Sequence, residues 1–195
     1  MKAGVLYSGG KDSSLAAMLL GTYYEVELAT FVFDPSRRIH AVEAAARAIG
    51  YPLTIRTFRE GMLDDMADMV ARCGYPNDAI NAIHRTAVET LSSEYKVVGD
   101  GTRFEDRVPL LTRAEVQSLG HRTGCAYVRP LLGFVRPAID ELADRLLEVE
   151  YGETGTIRNG DYEAELRGAI RSRGTDPAPL FPAHHEQSLV VGRKG

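Results

Sequence analysis

A chain of 195 residues with 44% hydrophobic side chains is long enough to bury a core, and its length suits one large domain or a domain with an appendage. A formal net charge of −4 excludes a general attraction to polyanions, so any contact with RNA would rest on a local basic patch. Two widely separated cysteines, Cys73 and Cys125, exclude a disulfide framework, and no apolar run is long enough for a membrane span; with Met1 leading straight into a strand-like run, a cytoplasmic compartment is expected.

The apolar run Ala3 to Tyr7 reads as a first strand and Leu15 to Leu20 as the body of a helix. Between them lies Ser8-Gly9-Gly10-Lys11-Asp12-Ser13-Ser14, which has the makings of a phosphate loop. Adjacent glycines let the backbone turn and approach a ligand, and a helix N-terminus offers unpaired N–H groups and positive dipole to an anion. Lys11 adds a point charge and the serines add hydroxyl donors. The spacing fits neither the G-x-x-x-x-G-K-[ST] loop nor the G-x-G-x-x-G fingerprint.

Val26 to Phe33 is a β-rich run ended by Asp34-Pro35. Ile39, Val42, Ala45, Ala46 and Ile49 recur at helical spacing before Gly50, and Leu53 to Phe58 returns to strand character, a parallel crossover. Helices follow over Met62 to Val70 and Ala79 to Leu91, the latter capped by Asn77 or Asp78, and His84 on it reads as a surface or helix-face residue. Lys96 to Val98 is the next strand. Thr112 with Glu115 three residues on is a capping box opening a helix to Leu119, and Ala126 to Val128 is a fifth strand. Ile139, Leu142, Leu146 and Val149 mark a further helix.

Alternating strands and helices predict an α/β fold with an open parallel sheet, helices on both faces, and ligands at the carboxyl ends of the strands. From Tyr151 the character changes. Residues 152–156 look like a loop, Tyr162 to Ile170 like a short amphipathic helix, and Leu189-Val190-Val191 like a strand that would join an open sheet edge, here or in a partner chain of a homodimer. Residues 1–150 are therefore read as the domain that carries the phosphate loop and 151–195 as a C-terminal extension.

Ser-Gly-Gly-Lys-Asp-Ser directly after the first strand resembles the PP-motif of the N-type ATP pyrophosphatases, in the adenine-nucleotide alpha-hydrolase superfamily. Over most of its length the chain also resembles small archaeal PP-loop ATPases described as a subunit of tRNA (5-methylaminomethyl-2-thiouridylate) methyltransferase. The resemblance implies strand order 3-2-1-4-5, Mg²⁺-ATP as ligand, and cleavage between the α and β phosphates with adenylation of a substrate oxygen. The implied task is tRNA base thiolation, with a sulfur donor and a separate tRNA-binding subunit as partners. Alternatives are an AMP-forming amide or amine ligase and a non-catalytic nucleotide-binding regulatory subunit.

On this resemblance Ser8 to Ser14 bind the phosphates, and Lys11 and Asp12 serve catalysis. Phe33 and Asp34 lie where adenine and ribose are held, although an aspartate before proline is equally a turn residue. The second stretch, Gly99 to Arg107, follows strand four. Gly99, Gly101 and Thr102 would line the nucleotide, Arg103 would stabilise developing charge, and Glu105 and Asp106, with Asp12, would hold Mg²⁺. Arg129-Pro130-Leu131 resembles a segment that faces the phosphates in thiolases; where that family continues with Asp-Lys, this chain has Val135-Arg136. Cys73 stands roughly where a thiolase places its first catalytic cysteine but lacks a Cys-x-x-Cys partner, and Cys125 reads as a buried core residue. His184-His185 would either close over a nucleotide or cap the last strand, and residues 160–167 would contact a partner or form a salt-bridged helix.

Overall fold

The computed structural model describes residues 1–194. Five parallel strands, β1 (Lys2–Leu6), β2 (Glu25–Val32), β3 (Leu53–Thr57), β4 (Val97–Gly99) and β5 (Ala126–Val128), form one sheet in the order β3-β2-β1-β4-β5. Because side chains alternate across a strand, the sheet divides the core in two. Leu6, Ala29, Phe31 and Val98 face one side, where they meet α3 (Met62–Cys73), α4 (Asn77–Ser92), α5 (Arg113–Thr123) and α7 (Tyr162–Ser172). Val5, Val26, Leu28 and Val32 face the other, packed by α1 (Lys11–Leu20), α2 (His40–Ile49) and α6 (Arg136–Leu146). Chain order reverses beside β1, which opens a crevice at the carboxyl ends of β1 and β4.

Local signals act as the residues suggest. Thr112 accepts from the backbone N–H of Glu115, whose carboxylate reaches back to the N–H of Thr112, the full capping box. α4 differs: it begins at Asn77 with Pro76 before it and no side-chain cap.

The C-terminal region departs further from the expectations. The helix after β5 stops at Leu146, and β6 (Leu147–Glu153) follows at once, so the expected boundary at residue 150 falls inside a strand and residues 152–153 extend it. Leu147, Val149 and Tyr151 alternate with Glu148 and Glu150, a period of two that overlaps the helical spacing of Leu142, Leu146 and Val149. The last strand, β7 (Glu186–Arg193), pairs antiparallel with β6 in a separate two-stranded sheet and does not extend an edge of the main one. Leu189 and Val190 pack into the core beside α1 and α2, while Leu166 and Ile170 of α7 pack into the core on the opposite face. Among the described residues no helix is long and apolar enough to cross a membrane.

Two outcomes test this architecture. Leu166 is fully buried, so Leu166→Ala should lower stability by about 2–5 kcal/mol in urea titrations followed by circular dichroism. A chain ending at residue 150 lacks apolar side chains from both halves of the core and should lose its cooperative thermal transition.

Candidate active site

A cavity of about 690 Å³ opens at the carboxyl ends of β1, β2 and β4. Its floor is the loop from Ser8 to Ser13 at the N-terminus of α1. Gly9 holds a φ of +82°, a left-handed conformation that side chains resist, so the loop requires glycine there. The Ser13 hydroxyl donates to the carbonyl of Gly10 at 3.0 Å and lies 3.3 Å from the Ser8 hydroxyl, and the N-cap residue is Gly10, which has no side chain to cap the helix. Lys11 is buried, its Nζ 3.5 Å from Asp12 and 3.6 Å from Asp140 of α6, beneath the Tyr151 ring. Ser14 faces inward, 3.1 Å from the buried Tyr7 hydroxyl, whose pKa burial pushes up to about 12.

The stretch after β4 closes on this loop. An added Cβ at Gly101 would lie 2.6 Å from the Ser13 nitrogen and 2.7 Å from the Asp12 carbonyl carbon, so glycine alone lets the two backbones meet. Arg103 grips Asp106 through Nε and Nη2 at 3.1 and 2.6 Å and sends Nη1 to within 3.6 Å of Asp12. Burial pushes the Asp12 carboxyl up against the opposing pull of Lys11 and Arg103, and its Oδ1 is buried without a hydrogen bond. Among the described residues only the Lys11 ammonium faces that oxygen, at 3.5 Å, which leaves it capacity for a further cation. Both oxygens of Asp106 are engaged by Arg103, and Glu105 is exposed at the rim.

The remaining wall comes from the C-terminal region. Gly160 donates its N–H to the carbonyl of Ser8 at 2.7 Å, Val190 to that of Gly9 at 2.8 Å, and the Ser188 hydroxyl accepts the N–H of Lys11 at 3.1 Å. Asp161 caps α7 by accepting from the N–H of Glu163 and also accepts from Gln187. Burial, with the neighbouring Glu163 charge, pushes the Asp161 carboxyl up. Glu163 is buried too, but hydrogen bonds from His185 at 2.7 Å and from Arg167 outweigh burial and hold its carboxyl below the ordinary value. One donor atom from each of Asp161, Glu163 and His185 lies within 4.8 Å of the others.

Of the residues singled out in the sequence, Ser8, Gly10, Lys11, Asp12, Ser13, Gly101, Thr102, Arg103, Glu105 and Asp106 line the cavity. Gly9 and Ser14 support the loop from behind, and Gly99 packs against Leu20. The Phe33 N–H is taken by Glu165 at 3.1 Å, and Asp34 accepts both the N–H and the hydroxyl of Ser36 in an exposed turn. Arg129 turns back to the carbonyl of Leu111 and over the Tyr127 ring, while Arg136 reaches the cavity rim and pairs with Glu186. Cys73 is exposed at the end of α3 and Cys125 is buried in the core; neither lines the cavity.

His84 is not a surface residue: it is buried, lines the cavity, and contacts Asp100 at 2.7 Å. Its position among Ile80, Ile83, Ala87 and Val88, an inward face of α4, was the available signal. Asn159, Asp161, Glu163, Gln187 and Ser188 lie beyond the expected domain boundary, where no known motif marks them.

Two further outcomes follow. Gly101→Ala must displace backbone, so it should lower the melting temperature by several degrees, read by calorimetry. The Glu163 hydrogen bond raises the His185 pKa above its ordinary 6.5, against a smaller effect of burial. This stabilisation is complete below about pH 6.5 and declines as pH rises through the folded value. Glu163 contributes in the opposite direction, losing its stabilisation as pH falls below 4.5 through its own depressed value. His185→Gln should therefore flatten the fall of melting temperature above pH 6.5 and leave the alkaline limit unchanged.

The chain is 38% identical over 195 residues to the uncharacterized protein MJ0690 of Methanocaldococcus jannaschii, covering all of this chain and 97% of the relative. A crystal structure from the same organism, described as a predicted subunit of tRNA methyltransferase, superposes with a TM-score of 0.90 at 37% identity, covering 100% of this chain and 99% of the other. The U34-tRNA thiolase NcsA of Methanococcus maripaludis aligns with a TM-score of 0.49 at 17% identity, over 74% of this chain and 55% of its own. A family-wide sequence profile matches residues 1–192, and the chain belongs to that family of unknown function, DUF7411.

Proposed function

We propose that this protein is an ATP-dependent, AMP-forming enzyme acting in tRNA modification. The observation that carries the reading is the loop from Ser8 to Ser13, open to the cavity at the N-terminus of α1, with Lys11, Arg103 and the buried Asp12 carboxylate beside it. Lys11 and the loop backbone would bind phosphates, and Arg103 would stabilise the charge that develops as pyrophosphate departs. Asp12, with Glu105 at the rim, would hold Mg²⁺, which when bound neutralises phosphate charge. The substrate oxygen would attack the α-phosphorus, leaving it adenylated for displacement by a nucleophile. The fold neighbour's description as a predicted subunit of tRNA methyltransferase supports tRNA as the acceptor and a partner subunit as its carrier. Because neither cysteine lines the cavity, the nucleophile would come from outside the chain, as a separate sulfur donor or an amine.

Incubation with Mg²⁺-ATP and tRNA from a strain lacking the gene should release AMP and pyrophosphate in equal amounts. Arg103→Ala should lower that turnover by roughly 10²-fold. Tight nucleotide binding without AMP would instead favour the regulatory-subunit reading, and unchanged tRNA nucleosides in the deletion strain, by mass spectrometry, would remove tRNA as the acceptor.

A further inference from the structure

Behind the phosphate loop, α4 and the end of β4 bring together a buried imidazole and a buried carboxylate that this chemistry has not used. The side chains of His84 and Asp100 are 5% and 4% exposed. Asp100 is saturated: Oδ1 accepts the N–H of Thr102 at 2.9 Å, and Oδ2 takes both His84 Nε2 at 2.7 Å and the Tyr127 hydroxyl. Burial alone would raise its pKa, but His84, through its hydrogen bond and its charge, and the hydrogen bonds from Tyr127 and Thr102 outweigh it and keep the carboxylate ionised. An ionised carboxylate only accepts, so His84 Nε2 carries a proton, and the form of the ring that can take up another has its lone pair on Nδ1. Among the described residues Nδ1 has no hydrogen-bond partner, nor is it one of the atoms sealed away without one, so it opens on the cavity that His84 lines. A structural role for His84 would end at Asp100, whose oxygens Thr102 and Tyr127 already serve. Asp100 instead fixes the ring so that a basic nitrogen faces the site.

Building on the adenylation reading, we propose that His84, oriented by Asp100, is the proton acceptor for the nucleophile that enters this cavity, and that this nucleophile is ammonia or a primary amine. In the step, a nitrogen–carbon bond forms at the adenylated carbon. The carbon–oxygen bond to AMP breaks and its electron pair leaves on AMP, while the proton on nitrogen passes to His84 Nδ1 and then to solvent. An amine attacking a carbon must lose a proton, so a positioned base accelerates it. A persulfide enters already deprotonated and needs none. The placement of Cys73 and Cys125 outside the cavity agrees with a nitrogen nucleophile.

The test compares wild type with His84→Gln, whose amide still donates to Asp100, in Mg²⁺-ATP, deletion-strain tRNA and either ammonium chloride or sodium sulfide. Ammonium should stimulate AMP release by wild type. His84→Gln should lose roughly 10²–10⁴-fold of that turnover while the dissociation constant for an ATP analogue stays within twofold. Turnover within twofold of wild type overturns the role of His84, and stimulation by sulfide alone overturns the nitrogen nucleophile. A wild type that forms no AMP in any mixture overturns the adenylation reading itself. If the variant does not fold, nitrogen NMR of histidine-labelled wild type decides. The Nε2–H tautomer with unprotonated Nδ1 supports the proposal, and Nδ1–H overturns it.

Discussion

The structure depends on the way the loop from Ser8 to Ser13 is strapped by the C-terminal region. A glycine-rich loop carries backbone groups that a regular strand or helix would satisfy internally, and here the partners come from residues about 150 to 180 positions away. Gly160 bonds to Ser8, Val190 to Gly9, and Ser188 receives the N–H of Lys11. These bonds explain why β6 and β7 leave the main sheet. The strand that carries Leu189 into the core beside α2 also presents Ser188 to the loop, so packing and loop conformation are coupled. The C-terminal region is thus part of the cavity wall.

Around this strap the charges are arranged in mutual compensation. Lys11 sits between Asp12 and Asp140, Arg103 bridges Asp106 and Asp12, and Glu163 is shared by His185 and Arg167. Buried charges are tolerated only when paired, and the pairings place the groups around an open cavity. The exceptions are informative. Asp12 Oδ1 is buried with no hydrogen bond and only Lys11 Nζ near it, at 3.5 Å, and His84 Nδ1 has no hydrogen-bond partner among the described residues. Both lie along the wall that the reacting groups would share.

Much of the fold was legible from local pattern, because periodicity, caps and turns act over a few residues. The strand-loop-helix around Gly9 and Gly10, the crossover through Gly50 and the capping box at Thr112 are all of this kind. The segment after Leu146 was misleading, since its apolar residues satisfy the helical and the strand period together, and only pairing with β7 selects the strand. Phe33 and Asp34 show a similar limit: the position after β2 was readable, but the Glu165 contact that takes the Phe33 N–H comes from α7.

Taken alone, the amino-acid sequence determined the alternation of strands and helices, the glycine loop at the head of α1, and the acid-base stretch after β4, since each rests on neighbouring residues. Only the tertiary structure decided which groups meet in the cavity. Arg136, Ser188, Glu163 and His185 reach it from distant elements, and Cys73 is carried away on the far end of α3. His84 is the sharpest case: its place on a helix was visible, but its function as a buried, oriented imidazole exists only once β4 and β5 bring Asp100 and Tyr127 to it. Burial turns a histidine into a positioned group, and burial is a property of the packed chain.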